Sequence, residues 1–171
     1  QVPNVILVGR WNARCDGYDD AEMVGREPEY RSSPMVIDEI GQVPRPQTSA
    51  TVLARRLEEM LTRLKSAGIK VWLIRQVPET IHRDTAKLVA MLKRFPQGNT
   101  LDAFTTSREE HESRQSSTTS VFALLPQGLA EVIDPSDQFF SEQNRLKIYG
   151  ERSYYRDDDH LTRYGARHYL A

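Results

Sequence analysis

The sequence contains a single cysteine, has almost no net charge and lacks any long hydrophobic run. Cys15 has no second cysteine to pair with, so an internal disulfide is excluded and the cellular compartment stays open. The 23 basic and 24 acidic residues give a net charge of −1, which creates no field to attract nucleic acid or an anionic membrane. Apolar runs such as residues 5–8 and 71–74 are far shorter than the roughly 18–20 residues of a bilayer-spanning helix. These absences exclude a charge-driven polymer binder and a transmembrane helix within the sequence.

The rest of the composition is that of a folded domain. Apolar residues make up 39% of the 171 residues, which is enough for a sizeable core. The 9 glycines and 9 prolines lie well below the roughly 25–30% share that marks low-complexity disorder. At this length we expect one domain rather than two.

Both ends of the sequence lack the usual boundary signals. Gln1 is not an initiator Met, and no signal-peptide pattern precedes the strand-like run that follows it. Residues 161–171 begin an amphipathic helix that has no Gly, Asn or Pro stop signal after it. We therefore expect the sequence to be an internal piece of a longer polypeptide, in which part of a catalytic site can lie outside these residues.

The first half of the chain has the pattern of a β–α–β unit. Residues 5–8 form an apolar run closed by Gly9, as expected of a strand buried on both faces of a parallel sheet. A helix is predicted from Thr48 or Ser49 as N-cap to Gly68, because apolar residues recur at helical spacing: Leu53, Leu57, Met60, Leu61 and Leu64. A second strand is predicted over residues 69–75, directly after Gly68.

The other segments extend this α/β pattern. The polar, Gly- and Pro-rich residues 10–47 exclude a long helix and allow at most a short strand at residues 35–37. Two further helices are predicted, one over residues 83–95 and one that begins with capping-box spacing at Ser107 and runs toward Leu125. Residues 131–134 read as a strand, residues 146–149 as a strand or an extended segment, and residues 161–171 as a final helix. The order predicts an α/β fold with a mostly parallel sheet.

The most informative polar residues lie just before the final helix. Asp157 precedes His160 by three residues, a spacing that lets a carboxylate bind the imidazole Nδ1–H and leave Nε2 to a nucleophile. A second interpretation is that Asp157, Asp158 and Asp159 only complement a helix N-terminus, with His160 incidental. A metal site is a third interpretation, but the sequence has no second cluster with suitable spacing, and we predict no metal and no cofactor. The other histidines and Cys15 have no partner spacing and are expected to be solvated or inert.

Residues 155–166, YRDDDHLTRYGA, resemble the Y-x-D-D-x-H-L-S-x-x-G-A block that closes SGNH hydrolase domains fused to membrane-bound acyltransferase family 3 proteins. Residues 5–11 are similar to that family's strand followed by an Arg-Trp pair. Residues 64–79 are similar to its helix, strand and P-V-P-E turn, with Gln76 in place of the first proline. The resemblance covers essentially the whole chain, as the later two thirds of such a domain.

The resemblance implies a three-layer α/β/α, flavodoxin-like fold, here without its first strand or strands, and a Ser-His-Asp triad. Its Asp and His correspond to Asp157 and His160, and its serine lies in an N-terminal G-D-S block. No Gly-Asp-Ser occurs in this sequence. Either the block lies upstream of Gln1, which we favour, or this copy has lost it.

The resemblance also points to Arg10, Trp11 and Asn12 after the first strand. The wider superfamily has an Asn in a G-x-N-D block that helps to form the oxyanion hole, whereas Asn12 is one place late and no Asp follows it. Arg10 or a backbone N–H could serve as the oxyanion donor instead. For Trp11, a core position and a substrate-lining position are equally open.

These observations lead to one functional hypothesis and two alternatives. The first is O-acyl transfer, with acetyl as the expected group, from an acyl donor to a cell-surface carbohydrate. The resemblance implies an N-terminal transmembrane acyltransferase domain as partner and a periplasmic or extracytoplasmic location. The alternatives are a free-standing carbohydrate esterase, in which water accepts the acyl group, and a degenerate carbohydrate-binding domain without catalysis.

Overall fold

The computed structural model describes residues 3–17, 35–38, 45–81, 84–94 and 105–169. These residues form two compact units. The first unit contains Gln1–Gln76 and Arg114–Asp134, and the second contains Val77–Ser113 and Pro135–Ala171. None of the helices in the described ranges has both the length and the apolar character needed to cross a bilayer.

The first unit contains a parallel sheet of three strands in the order β1-β2-β3. The strands are β1 (Asn4–Val8), β2 (Lys70–Ile74) and β3 (Glu131–Ile133), with Val5 opposite Val71 and Leu73 opposite Val132. Helix α2 (Pro46–Ser66) lies between β1 and β2 along the chain, and the two strands pair in parallel, so the predicted β–α–β unit is confirmed. Parallel strands joined by helices confirm the predicted α/β class.

The burial of β1 differs from the prediction. Residues 5–8 were expected to be buried on both faces, yet Ile6 is 65% exposed and Val8 is 70% exposed. Ile6 and Val8 point to the same face of the sheet, which is uncovered at β1 among the described residues, whereas Leu7 on the other face packs against the core. Only the central strand β2 is buried in the predicted way, through Val71 and Leu73. An open edge with uncovered apolar side chains is the geometry expected if a neighbouring strand is missing, and the extent of the domain stays a prediction.

Helix α2 (Pro46–Ser66) begins earlier than predicted. Its N-cap residue is Arg45, and Pro46 occupies the first helical position, where the missing N–H of proline leaves no intrahelical bond unmade. Neither Thr48 nor Ser49 is therefore the cap. The C-terminus agrees with the prediction, because Gly68 adopts the left-handed φ of +73° that a residue after a helix requires.

In the described part of the polar segment after β1, residues Trp11–Asp16 form a short helix, α1. The predicted short strand at residues 35–37 does not form a strand of the sheet; Val36 instead donates its N–H to the carbonyl of Arg14 at 3.1 Å. Cys15 is fully buried, and this burial raises the pKa of its thiol to about 11. The thiol therefore stays protonated at neutral pH, which fits the expectation that it is inert.

The predicted third helix is divided into two. Helix α4 (Arg108–Arg114) and helix α5 (Ser116–Ala123) are separated by Gln115. The predicted capping box is confirmed at the start of α4: Glu110 Oε2 accepts the N–H of Ser107 at 2.6 Å, and Ser107 Oγ accepts the N–H of Glu110 at 3.1 Å. The capping signal thus identified the helix start, while the sequence contained no Pro or Gly to mark the interruption.

The second unit has little regular structure. Besides α4 it contains α3 (Thr85–Arg94), a short 3₁₀ helix (Ser136–Phe139) and α6 (Arg163–Tyr169). The ends of the helix predicted over residues 83–95 lie outside the described residues. Residues 146–149 form an extended segment with isolated bridges at Leu146 and Tyr149 rather than a strand.

Candidate active site

The turn before α6 is closed by the side chain of Asp157. Its Oδ1 accepts the backbone N–H of Asp159 at 3.3 Å and that of His160 at 2.8 Å. An Asp side chain favours such turns because it can accept N–H groups two or three residues further along the chain. The same oxygen lies 2.9 Å from His160 Nδ1. The backbone turn therefore brings the carboxylate and the ring together.

The distance between Asp157 Oδ1 and His160 Nδ1 tests the contact that the spacing of three residues predicts. A dyad required an Asp157 oxygen within about 3.2 Å of Nδ1, and the observed 2.9 Å confirms that contact. The side chain of His160 is 60% exposed and that of Asp157 is 28% exposed. Because Nδ1 faces the carboxylate, the opposite ring nitrogen, Nε2, is the one available for proton transfer. That these two residues are catalytic stays a prediction.

A second carboxylate contacts the same ring nitrogen. Asp159 Oδ1 lies 2.7 Å from His160 Nδ1, closer than Asp157 Oδ1, and the Asp159 side chain is 18% exposed. In the sequence, Asp159 is one of three acidic residues that could complement a helix N-terminus. The available signal was an acid directly before the histidine, but the spacing rule for a dyad concerns the residue three places earlier.

Hydrogen bonds set the charge state of Asp157. Partial burial acts to raise the pKa of its carboxyl, but the backbone N–H and ring of His160 and the Arg156 side chain outweigh this effect. The net result is a lowered pKa, so Asp157 is ionised at neutral pH. Arg156 Nε contributes from the other side, 3.1 Å from Asp157 Oδ2.

Within the described ranges, the same three residues form a group that could hold a metal ion. One ligand atom each from Asp157, Asp159 and His160 lie within 4.8 Å of one another. However, Asp157 Oδ1 already accepts two backbone N–H groups, which is the arrangement of a hydrogen-bonded turn. We therefore interpret the group as an acid–imidazole cluster, and no metal enters the proposals below.

Two anchors hold this turn within the second unit. The Asp158 carbonyl accepts the N–H of Thr80 at 2.8 Å, and the hydroxyl of the fully buried Tyr155 donates to the carbonyl of Pro78 at 2.6 Å. The segment containing Pro78 and Thr80 is the turn predicted to follow the second strand. Two segments that the sequence singled out separately are therefore hydrogen-bonded to each other.

The residues after His160 fix the start of α6. Thr162 Oγ1 accepts the N–H of Gly165 at 3.0 Å, as an N-cap residue does, and donates to the carbonyl of Ser153 at 2.8 Å. A Cβ on Gly165 would overlap the carbonyl of Tyr154, lying 2.8 Å from its carbon atom. The Thr and Gly of the resembling block thus have structural roles at the turn.

The other predicted site residues, Arg10, Trp11 and Asn12, lie in the first unit. Arg10 is the residue before α1. The indole N–H of Trp11 donates to the carbonyl of Ile74 at 2.8 Å, and its ring packs edge-on against Phe122. Asn12 is 3% exposed, and its Oδ1 accepts the N–H of Ala13 at 2.8 Å. Trp11 thus packs in the core, which was one of the two positions considered for it. An oxyanion or substrate role for the three residues stays a prediction.

One expectation about the remaining histidines is wrong. His111 was expected to be solvated but is 6% exposed, because its ring packs against Phe140 with centroids 5.7 Å apart. His168 is exposed, as expected, and stacks on Tyr154. His82 lies outside the described residues.

A carboxylate held against Nδ1 of a histidine is also the arrangement of the acid and the base in a nucleophilic triad. A family model described as "SGNH domain (fused to AT3 domains)" matches residues 1–171, and the chain belongs to this family. The recognised family is therefore one of acyl-transfer and esterase domains, with an AT3 domain as its fusion partner.

Comparison with solved structures finds similarity to the lipopolysaccharide acetyltransferase periplasmic domain of Salmonella ser. Paratyphi A. The TM-score is 0.48 at 14% sequence identity, over 99% of this chain and 81% of that chain. No curated protein matches the chain.

Proposed function

We propose that this chain supplies the acid–base pair of a serine acyltransferase that transfers an O-acyl group, with acetyl as the expected group, to a carbohydrate at the cell surface. His160 is the general base and then the general acid, and Asp157 orients it. The nucleophilic serine lies outside these 171 residues, in a Gly-Asp-Ser block. The observation that carries the proposal is the 2.9 Å contact between Asp157 Oδ1 and His160 Nδ1.

The reaction has two proton-coupled steps. His160 Nε2 takes the serine hydroxyl proton while the serine oxygen attacks the carbonyl carbon of the acyl donor. The tetrahedral intermediate collapses to a serine ester, and the leaving group takes that proton from the imidazolium. In the second step Nε2 takes a proton from a carbohydrate hydroxyl, whose oxygen attacks the ester, and the serine oxygen leaves and is reprotonated by His160. Asp157 keeps Nδ1 as the donor and stabilises the imidazolium formed in each step.

The family supports the proposed partner and location. Fusion to an AT3 domain supports an N-terminal transmembrane acyltransferase domain in the same polypeptide, with this chain on the extracytoplasmic side of the membrane. A transmembrane partner can bring an acyl group to a domain that acts on surface carbohydrate. A free-standing esterase would use the same residues with water as acceptor, so upstream sequence distinguishes the two. Several hydrophobic spans before a Gly-Asp-Ser block favour the transferase, and a signal peptide directly before it favours the esterase.

The decisive experiment replaces His160 in the intact parent protein. His160→Gln should lower acyl turnover by about 10²–10⁴-fold, the usual contribution of general acid–base catalysis, measured as acetyl incorporated into surface carbohydrate. His168→Gln is the matched control, because it removes another exposed imidazole of the same unit and should leave turnover unchanged.

Unchanged turnover in His160→Gln would contradict the proposal. A burst of p-nitrophenolate from p-nitrophenyl acetate in the wild-type parent protein, lost in His160→Gln, separates catalysis from the degenerate binding domain. That alternative predicts no burst in either protein.

A further inference from the structure

We propose that Asp159 is a second positioning residue for His160, which shares Nδ1 with Asp157 in the acid–base role proposed above. The predicted effect of Asp159 on catalysis rests on the proposed function. The contact between Asp159 and the ring is independent of that function. Asp159 Oδ1 lies 2.7 Å from Nδ1, against 2.9 Å for Asp157 Oδ1. Asp157 Oδ1 makes the hydrogen bond to Nδ1, and the Asp159 carboxylate lies against the same nitrogen as a second ion-pair partner.

Asp157 has several partners besides the ring. Asp157 Oδ1 accepts two backbone N–H groups of the turn besides facing the ring, and its Oδ2 faces Arg156 at 3.1 Å. Its negative charge is therefore shared among several donors. Asp157 closes the turn as well as holding the ring, and Asp159 adds a second carboxylate from the side chain directly before His160.

Burial strengthens the contribution of Asp159. Its side chain is 18% exposed, compared with 28% for Asp157, so water screens its charge less. When His160 takes a proton, the imidazolium faces both carboxylates, with the Arg156 guanidinium on the far side of Asp157. Loss of either carboxylate should make the imidazolium easier to deprotonate, and loss of both should have the larger effect.

The test measures His160 directly in the natural full-length polypeptide. Diethyl pyrocarbonate acylates only the unprotonated imidazole, and peptide mass spectrometry resolves the modification rate at His160 as a function of pH. Asp159→Asn should move the midpoint of that pH profile down by about half a pH unit, the size expected of one partly exposed ion pair. Asp157→Asn should move it in the same direction, and the double variant further than either.

Asp158→Asn is the matched control. It removes the same charge from the residue between the two carboxylates, and Asp158 contributes its backbone carbonyl, bound by Thr80, rather than an ion pair to the ring. Its midpoint should shift clearly less than that of Asp159→Asn. Equal shifts for the two variants would overturn the proposal, because the shift would then result from the loss of any nearby negative charge rather than from the contact with the ring. Asp159→Glu, which restores the charge, should return the midpoint toward wild type.

Turnover provides the second readout. Asp159→Asn should lower kcat by about 10-fold with little change in KM, because the ring contact acts on proton transfer rather than on binding. If His160→Gln leaves turnover intact, the proposed function fails, yet the modification profile still decides whether Asp159 holds the ring. If the profile of Asp159→Asn equals that of wild type, the positioning role fails, whatever the turnover.

Discussion

The first unit packs aliphatic side chains around parallel strands, whereas the second packs aromatic rings around turns. The buried cluster of the first unit is mainly Leu and Val: Leu53, Leu57, Leu61, Val71, Leu73 and Val121. That of the second contains Phe139, Phe140, Tyr154, Tyr155 and Tyr169. An aliphatic core is held by area and shape, so many sequences satisfy it. An aromatic core with hydroxyl groups also requires a polar partner for each buried oxygen.

Two buried tyrosines of the second unit meet that requirement with carbonyl groups of the backbone. Tyr155 donates to Pro78 at 2.6 Å and Tyr169 to Lys147 at 2.9 Å. Burial raises the pKa of both phenols above the ordinary value, so they remain donors throughout the physiological range. The candidate site lies in the unit whose structure depends on individual hydrogen bonds. We therefore expect single substitutions there to have specific effects.

The largest expected effect comes from two glycines, one in each unit. Gly165→Ala should lower the free energy of unfolding by about 3 kcal/mol or more, because the new Cβ overlaps the backbone of Tyr154. Gly68→Ala meets no atom of the described residues within 4 Å and should cost only the left-handed strain, about 1–2 kcal/mol. Denaturant unfolding of both variants measures the difference. Equal losses of unfolding free energy would show that the backbone around Gly165 can move to accommodate the new Cβ.

Removal of a tyrosine hydroxyl should have the next largest effect. Tyr155→Phe leaves the buried Pro78 carbonyl without its donor and should cost about 1–3 kcal/mol. Tyr169→Phe breaks a bond that is only partly buried and should cost about 0.5–1.5 kcal/mol. Thermal unfolding ranks the two variants. A reversed order would contradict the view that burial makes the Tyr155 bond the more important anchor.

Replacement of two serines should change the stability by smaller amounts and in opposite directions. Ser107→Ala removes the cap of α4 and should destabilise the chain by about 1 kcal/mol. Ser49 is fully buried within α2, and its hydroxyl has no hydrogen-bond partner among the described residues. Ser49→Ala should therefore be neutral or stabilising, by up to about 1 kcal/mol. Urea midpoints of the two variants measure both signs, and a clear loss in Ser49→Ala would mean that its hydroxyl is bonded.

The smallest expected effect is the pH dependence from Asp157. Its pKa is lower in the folded chain than the ordinary 3.8, so its contribution to stability is present above that value and is lost as the pH falls through the folded pKa. Between about pH 5 and about pH 3, wild type should lose more stability than Asp157→Asn. The difference should be small because the partner His160 is 60% exposed. Parallel pH titrations of unfolding test it, and identical slopes would mean that the turn does not depend on the ionised carboxyl.

Patterns within a single element were predictable from the sequence. The helical spacing of Leu53, Leu57 and Leu61 identified α2, and the Ser107–Glu110 spacing identified the start of α4. The predicted start of α2 was wrong. The helix already begins at Pro46, before Thr48 and Ser49, although those residues are better N-cap residues than Arg45. The apolar run of β1 predicted a strand buried on both faces, because such a run does not reveal which face is covered. The exposure of Ile6 agrees instead with the uncovered strand that we expect if the first strands of the domain lie outside the sequence.

The sequence by itself determined the β–α–β unit and the proximity of Asp157 to His160, since both follow from local periodicity and from a spacing of three residues. Only the tertiary structure decided that Asp159 also reaches the ring. Its side-chain direction depends on the turn, and the turn is held by bonds to distant residues, Tyr155 to Pro78 and Thr80 to Asp158. Contacts across such distances leave no periodic signal in the chain, because they depend on how separate segments pack.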